Sequence, residues 1–230
     1  MSVKVPIIGV VGHRKSGKTT VIESLVQELT KRGYRVATAK HTGQKGFSMD
    51  AKEKDTWRHS MAGANPVVCV SDVETAILIK DGEANFSLDQ LFKFMPEIDV
   101  IGLEGFSQLV LNNEGIGKIL CVREREEYED FMEKSKGEIV ASCSTRPLGS
   151  PILRIKEDSQ ILVERALKHI ERKILKLRSK LKTRITVNGA EVSLNPFASE
   201  IIRKSILGMA SSLKGVSISG NEEVHIKILS

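Results

Sequence analysis

Apolar residues fall in short runs separated by polar segments along the first two thirds of the chain, and each run has a readable period. Residues 5–11 form an apolar stretch that predicts a buried strand, followed by a glycine-rich loop. Over residues 19–31, Val21, Ile22, Leu25, Val26 and Leu29 recur at helical spacing, and Gly33 stands where a helix ends. Residues 34–39 predict a second strand. Residues 50–62 predict a helix with Asp50 as N-cap, Glu53 three positions on and Gly63 just past the end. Segments 66–70 and 75–79 predict a hairpin, 88–95 a short helix, and 98–103, 118–122, 138–142 and 152–155 further strands. Strands alternating with helices predict an α/β fold: a mostly parallel sheet, in three layers, with helices on both faces.

The pattern changes after residue 160. Val163, Leu167, Ile170, Ile174, Leu177 and Leu181 make a narrow apolar stripe along one long helix. Such a stripe serves either a helix laid on the sheet or bridging two domains, or a dimer seam. Residues 183–194 alternate on both sides of Asn188-Gly189, a pair that favours a two-residue hairpin turn. A helix from Asn195-Pro196 to about residue 210 and a strand over 224–229 complete a small ββαβ unit. The expected organisation is a nucleotide-binding domain over 1–160, a basic connecting helix over 161–182, and the ββαβ unit over 183–230.

Charge sharpens this picture. The chain of 230 residues carries a net charge of +6. Residues 171–184 hold seven cations (Arg172, Lys173, Lys176, Arg178, Lys180, Lys182 and Arg184) against one acid, Glu171, so the rest is nearly neutral. A protein that coats nucleic acid would be basic more widely. Aromatic residues make up 4% and do not interleave with the basic run, so no base-stacking platform is expected. No apolar run is long enough to cross a bilayer. The cysteines Cys69, Cys121 and Cys143 form no CxxC pair, which argues against a disulfide framework or a zinc site and fits a reducing cytoplasm.

The residues that carry chemistry begin at Gly12. The segment from Gly12 to Thr19 matches G-x-x-x-x-G-K-[ST] at every fixed position and lies between a predicted strand and an amphipathic helix, as that motif requires. Backbone amides of such a loop wrap a phosphate at a helix N-terminus. Gly12, His13, Arg14, Lys15, Ser16, Gly17, Lys18, Thr19 and Thr20 are therefore the expected nucleotide-binding residues, with Lys18 reaching the β- and γ-phosphates and the Thr19 hydroxyl holding Mg²⁺. A partner carboxylate is expected where a neighbouring strand ends. Asp99 and Glu104 lie five residues apart on one strand, roughly 16 Å when extended, so they cannot serve one site. Glu104, at the C-terminal end, is the expected Mg²⁺ partner. His41 ends the second strand at the same edge and is a candidate for phosphate or substrate, or for a loop hydrogen bond. Asp50 is a candidate for positioning the attacking water or the metal, or for capping its helix.

One linked set of residues goes beyond a generic phosphate loop: residues 12–20, Lys40-His41-Thr42, Phe47, Asp50, the run 54–59, Ala62-Gly63-Ala64, and Leu103-Glu104-Gly105-Phe106. Over residues 5–170 it resembles the MobB family, the molybdopterin-guanine dinucleotide biosynthesis adaptor proteins. The resemblance implies a P-loop NTPase fold that prefers GTP with Mg²⁺, hydrolyses it slowly, assists the guanylyltransferase that attaches GMP to molybdopterin, and forms a homodimer. It leaves open whether molybdopterin itself binds. Gly43-Gln44-Lys45-Gly46 stands where family loops often carry more histidines, and no [NT]KxD guanine-reading motif occurs in the chain, so guanine preference follows from the resemblance alone. The competing readings are a P-loop kinase of a small molecule, whose lid arginines would be Arg123 and Arg125, and a nucleotide-gated interaction protein of another pathway.

Overall fold

The computed structural model describes residues 5–80, 86–88, 98–180, 185–187, 190–192, 196–214 and 216. These divide into two compact units, residues 1–167 and 168–230.

The first unit is built on six strands: β1 (Ile7–Val11), β2 (Val36–Lys40), β5 (Val100–Glu104), β6 (Gly117–Cys121), β7 (Ile139–Ser144) and β8 (Leu153–Arg154), ordered β2-β5-β1-β6-β7-β8. All neighbours run parallel. β1, β5 and β6 are buried at every residue, as strands covered on both faces must be. A side chain at Gly102 would point at Ile22 of α1 (Lys18–Lys31), whereas one at Gly9, in register with Leu103, would point at Val110 of α3 (Ser107–Asn112). The two helices thus cover opposite faces. The core joins Ile7, Val11, Ile101, Leu103, Val110 and Leu120 to Phe131 of α4 (Arg125–Lys134).

The predicted hairpin is present as β3 (Val67–Val70) and β4 (Thr75–Leu78), a separate antiparallel sheet with Val68, Val70 and Ile77 exposed. The helix predicted over 50–62 is shorter: α2 spans Asp55–Met61, with Lys54 rather than Asp50 in the cap position. Glu53 adopts a left-handed φ of 73°, which interrupts helical winding before residue 55. Helices α3 and α4 were not expected. In α4, Tyr128, Phe131 and Met132 are the only large apolar residues in a charged sequence, so the periodicity is faint.

The long helix α5 (Ser159–Lys180) crosses the boundary between the units. Its Leu162, Val163, Ala166 and Leu167 are buried within the single chain, so this part of the stripe is not free to act as a dimer seam. Exposed Arg172 and Lys176 lie further along it. In the second unit, β9 (Ile185–Val187) pairs antiparallel with β10 (Ala190–Val192), and α6 (Pro196–Ser211) follows. Beyond residue 88, the helix predicted over 88–95 lies outside the described residues, as does the strand over 224–229.

Candidate functional site

The C-terminal ends of β1, β2, β5 and β7 converge on a cavity of about 1000 Å³. Its floor is the loop from Gly12 to Thr19. A Cβ at Gly12 would collide with the Cys121 carbonyl oxygen, and one at Gly17 (φ 91°) with Ile155, so both positions require glycine. Lys15 (φ 64°) and Gly17 take left-handed turns, which fold the backbone into a concave nest of the kind that binds anions. Ser16 is fully buried in this loop, and its hydroxyl has no hydrogen-bond partner. Lys18 Nζ donates to the carbonyl oxygens of Gly12 (2.9 Å) and His13 (2.6 Å), leaving its third proton for another acceptor. Burial pushes the Lys18 ammonium below the ordinary lysine pKa, against the opposing pull of Cys121 and Glu104.

On the next strands, Lys40 and Glu104 are register partners at the ends of β2 and β5. Glu104 Oε1 accepts a hydrogen bond from Thr19 Oγ1 at 3.0 Å and lies 2.9 Å from Lys40 Nζ. Asp99, at the opposite end of the segment, is held by Arg35: Oδ2 accepts from its backbone N (2.9 Å) and Nε (3.1 Å), and Oδ1 from Nη2 (3.3 Å). A hard cation bound by one hydroxyl, one carboxylate and phosphate oxygens is the donor set Mg²⁺ uses. The nest, the orphaned Ser16 hydroxyl and the free Lys18 proton fit a phosphate chain beside it.

The remaining expected residues scatter. Arg14, Lys15 and His41 line the cavity. His13 contributes its carbonyl, but its ring turns to α4, 5.6 Å from Phe131 and 4.0 Å from Glu127. Thr20 is exposed and outside the cavity lining. Asp50 is also outside that lining; its Oδ1 accepts from Thr56 Oγ1 at 2.7 Å, which ties it to α2. Lys40, Gln44, Phe106 and Ser107 line the cavity without having been singled out as site residues; Thr145 lines it too. Only strand register would have exposed Lys40. Phe106 has a left-handed φ of 52°, which costs a non-glycine residue roughly 1–2 kcal/mol.

A phosphate-type loop between the first strand and helix of a parallel sheet, flanked by a strand-end carboxylate, places the fold in the P-loop NTPase class. The sequence model of the MobB family (Molybdopterin guanine dinucleotide synthesis protein B) matches residues 7–145, and the chain belongs to that family. It is similar to the molybdopterin-guanine dinucleotide biosynthesis adapter protein of Haemophilus influenzae, at 35% identity over 54% of this chain and 67% of that one. A Methanocaldococcus jannaschii protein named for the same adapter role is 26% identical over 96% of this chain and 97% of its own length, so its similarity includes the C-terminal unit. Among solved structures, one of molybdopterin-guanine biosynthesis protein B superposes with TM-score 0.54 at 30% identity, covering 72% of this chain and 99% of that one. Bacillus subtilis MobB shares the fold, with TM-score 0.55 at 24% identity and 72% and 98% coverage.

Proposed function

We propose that this protein binds GTP with Mg²⁺ in the cavity, hydrolyses it slowly, and acts in the cytoplasm as a homodimeric adapter for the enzyme that joins GMP to molybdopterin. The observation that carries the nucleotide reading is the meeting of Thr19 Oγ1 and Glu104 Oε1 at the mouth of the loop. Loop amides and Lys18 would hold the phosphates, and Thr19 and Glu104 would hold the metal. Bound Mg²⁺ supplies charge neutralisation across the β- and γ-phosphates. Among the described residues lining the cavity Glu104 is the one carboxylate, and it is engaged by Thr19 and Lys40.

The kinase reading loses support from its own arginines. Arg123 donates through Nε and Nη2 to Glu127. Arg125 donates to the carbonyl oxygens of Leu148 (2.9 Å) and Ser150 (3.1 Å). Both guanidinium groups brace the fold. The exposed apolar residues of the β3–β4 hairpin support self-association. The adapter role draws on the names of the relatives. Equilibrium binding of GTP and ATP, with and without Mg²⁺, tests the site. Tighter, Mg²⁺-dependent GTP binding is expected, and equal or stronger ATP binding would refute the guanine assignment. Co-purification with a molybdopterin guanylyltransferase tests the adapter role, and sedimentation tests the dimer.

A further inference from the structure

Among the described residues, the lysines and arginines lining the cavity are Arg14, Lys15 and Lys18 of the phosphate loop, and Lys40 from the end of β2. Lys40 is thus the cation that a second strand brings to the loop. Its backbone is held in place there. It is in register with Glu104, and the next residue ties the two strand ends together: His41 N donates to the Glu104 carbonyl oxygen at 2.9 Å. Gly105 passes so close that a Cβ on it would lie 3.2 Å from the His41 carbonyl oxygen. The Lys40 side chain, by contrast, is mostly exposed on a flexible four-carbon stem and can move.

The partner that Lys40 has in the empty cavity is a contested one. Glu104 Oε1 accepts from Thr19 Oγ1 at 3.0 Å and lies 2.9 Å from Lys40 Nζ. These are the oxygens that suit Mg²⁺. Lys40 loses its place on Oε1 to a metal ligated there, because two cations at one carboxylate oxygen repel each other. Its ammonium then needs another anion within reach. In sites of this type the metal bridges the β- and γ-phosphates, so the nearest anion is the terminal phosphate of a triphosphate. Lys18 leaves room for this second cation, since two of its three protons go to the carbonyl oxygens of Gly12 and His13. Burial lowers the Lys18 pKa most, Cys121 and Glu104 raise it, and repulsion from Lys40 lowers it again, so the two ammonium groups share one field. Two ammonium groups facing one carboxylate leave that end of the cavity positive, which favours the more highly charged triphosphate over the diphosphate.

We propose that Lys40 tells a nucleoside triphosphate from a diphosphate: its ammonium leaves Glu104 for the terminal phosphate of a bound triphosphate and stays on Glu104 when a diphosphate is bound. The inference rests on the nucleotide reading above and gives a specificity role to a residue outside the phosphate loop.

Binding of GDP and of a non-hydrolysable GTP analogue to the full-length protein is measured by calorimetry at saturating Mg²⁺, so turnover does not enter the readout. Lys40→Met keeps the length of the stem and removes the charge. It should weaken the GTP analogue at least tenfold, about 1.4 kcal/mol, and change GDP by less than about twofold. Lys40→Arg keeps a cation and should retain the preference for the triphosphate. A lysine that only braced the strand ends would move both ligands together. An equal loss for both ligands in Lys40→Met, or an unchanged ratio between them, overturns the proposal and leaves the nucleotide reading standing. So does a collapse of the ratio in Lys40→Arg as deep as in Lys40→Met, or a collapse in Arg14→Ala or Lys15→Ala while Lys40→Met keeps it. Failure of the unmutated protein to bind either ligand removes both readings together.

Discussion

Glu104→Gln and Asp99→Asn form a paired test of which end of β5 faces the nucleotide. The Lys40–Glu104 ion pair has a mostly exposed lysine, 61%, against a carboxylate that is 11% exposed, and such a pair contributes at most about 1 kcal/mol. Glutamine keeps an oxygen to accept from Thr19 Oγ1, so that bond largely survives. The expected stability loss is thus about 1 kcal/mol, or about 2–4 °C in melting temperature for a chain of this size. Mg²⁺ should respond far more, because an anionic oxygen at the metal is lost. Removing a group that orients or holds a metal typically costs about 10–100-fold in its affinity. Asp99→Asn weakens an exposed network with Arg35 and should cost a similar 1 kcal/mol or so. It should leave the Mg²⁺ dependence of GTP binding unchanged. Titration with a fluorescent GTP analogue at varied Mg²⁺, alongside thermal unfolding of each variant, separates the two effects. If Asp99→Asn shifts the Mg²⁺ requirement and Glu104→Gln does not, the placement of the metal at the C-terminal end of β5 is wrong.

Three further outcomes follow from the structure. Lys18 has a depressed pKa, so its ammonium is lost at a lower pH than an ordinary lysine's. GTP affinity should fall as pH rises through that value, and Lys18→Arg should flatten the fall; an unchanged alkaline profile in the variant would count against it. Burial alone would raise the Glu127 carboxyl, but hydrogen bonds from Arg123 outweigh it and hold it below the ordinary range. Its stabilisation is therefore present above the unfolded value of about 4.3 and is lost as pH falls through the lower folded value. Glu127→Gln should show a shallower acid loss in urea titrations, and an identical pH profile would refute the assignment. Leu103→Ala empties a fully buried position on β5 and should cost about 2–5 kcal/mol, or about 4–20 °C in melting temperature; calorimetry showing no change would contradict the packing.

The sequence disclosed what is local. The phosphate loop, α1 and the strand ahead of it are contiguous, and each carries its own signal in glycines, apolar period or helix stop. The end of β5 was readable because Glu104 is followed by Gly105. Long-range features stayed hidden. Lys40 becomes a site residue only once β2 and β5 align in register, over a separation of 64 residues at Lys40 and Glu104. Phe106 joins the cavity through a left-handed turn that no propensity favours. Asp50 shows the opposite failure: its spacing to Glu53 looks like a cap, but the turn before α2 gives its carboxylate to Thr56 instead.

The match to the family ends at residue 145, yet the architecture beneath the phosphate loop does not. β8 continues the sheet past β7, pairing Cys143 with Leu153 and Ser144 with Arg154. Ile155, just beyond it, presses on the Gly17 turn from below. The first turns of α5 then bury Leu162, Val163, Ala166 and Leu167. Truncation at residue 145 would therefore leave β7 as a raw edge, open to pairing with other chains, and would strip the support from under the anion nest. The shortest autonomous fragment of the first unit should reach Leu167, some twenty residues past the end of the family-model match.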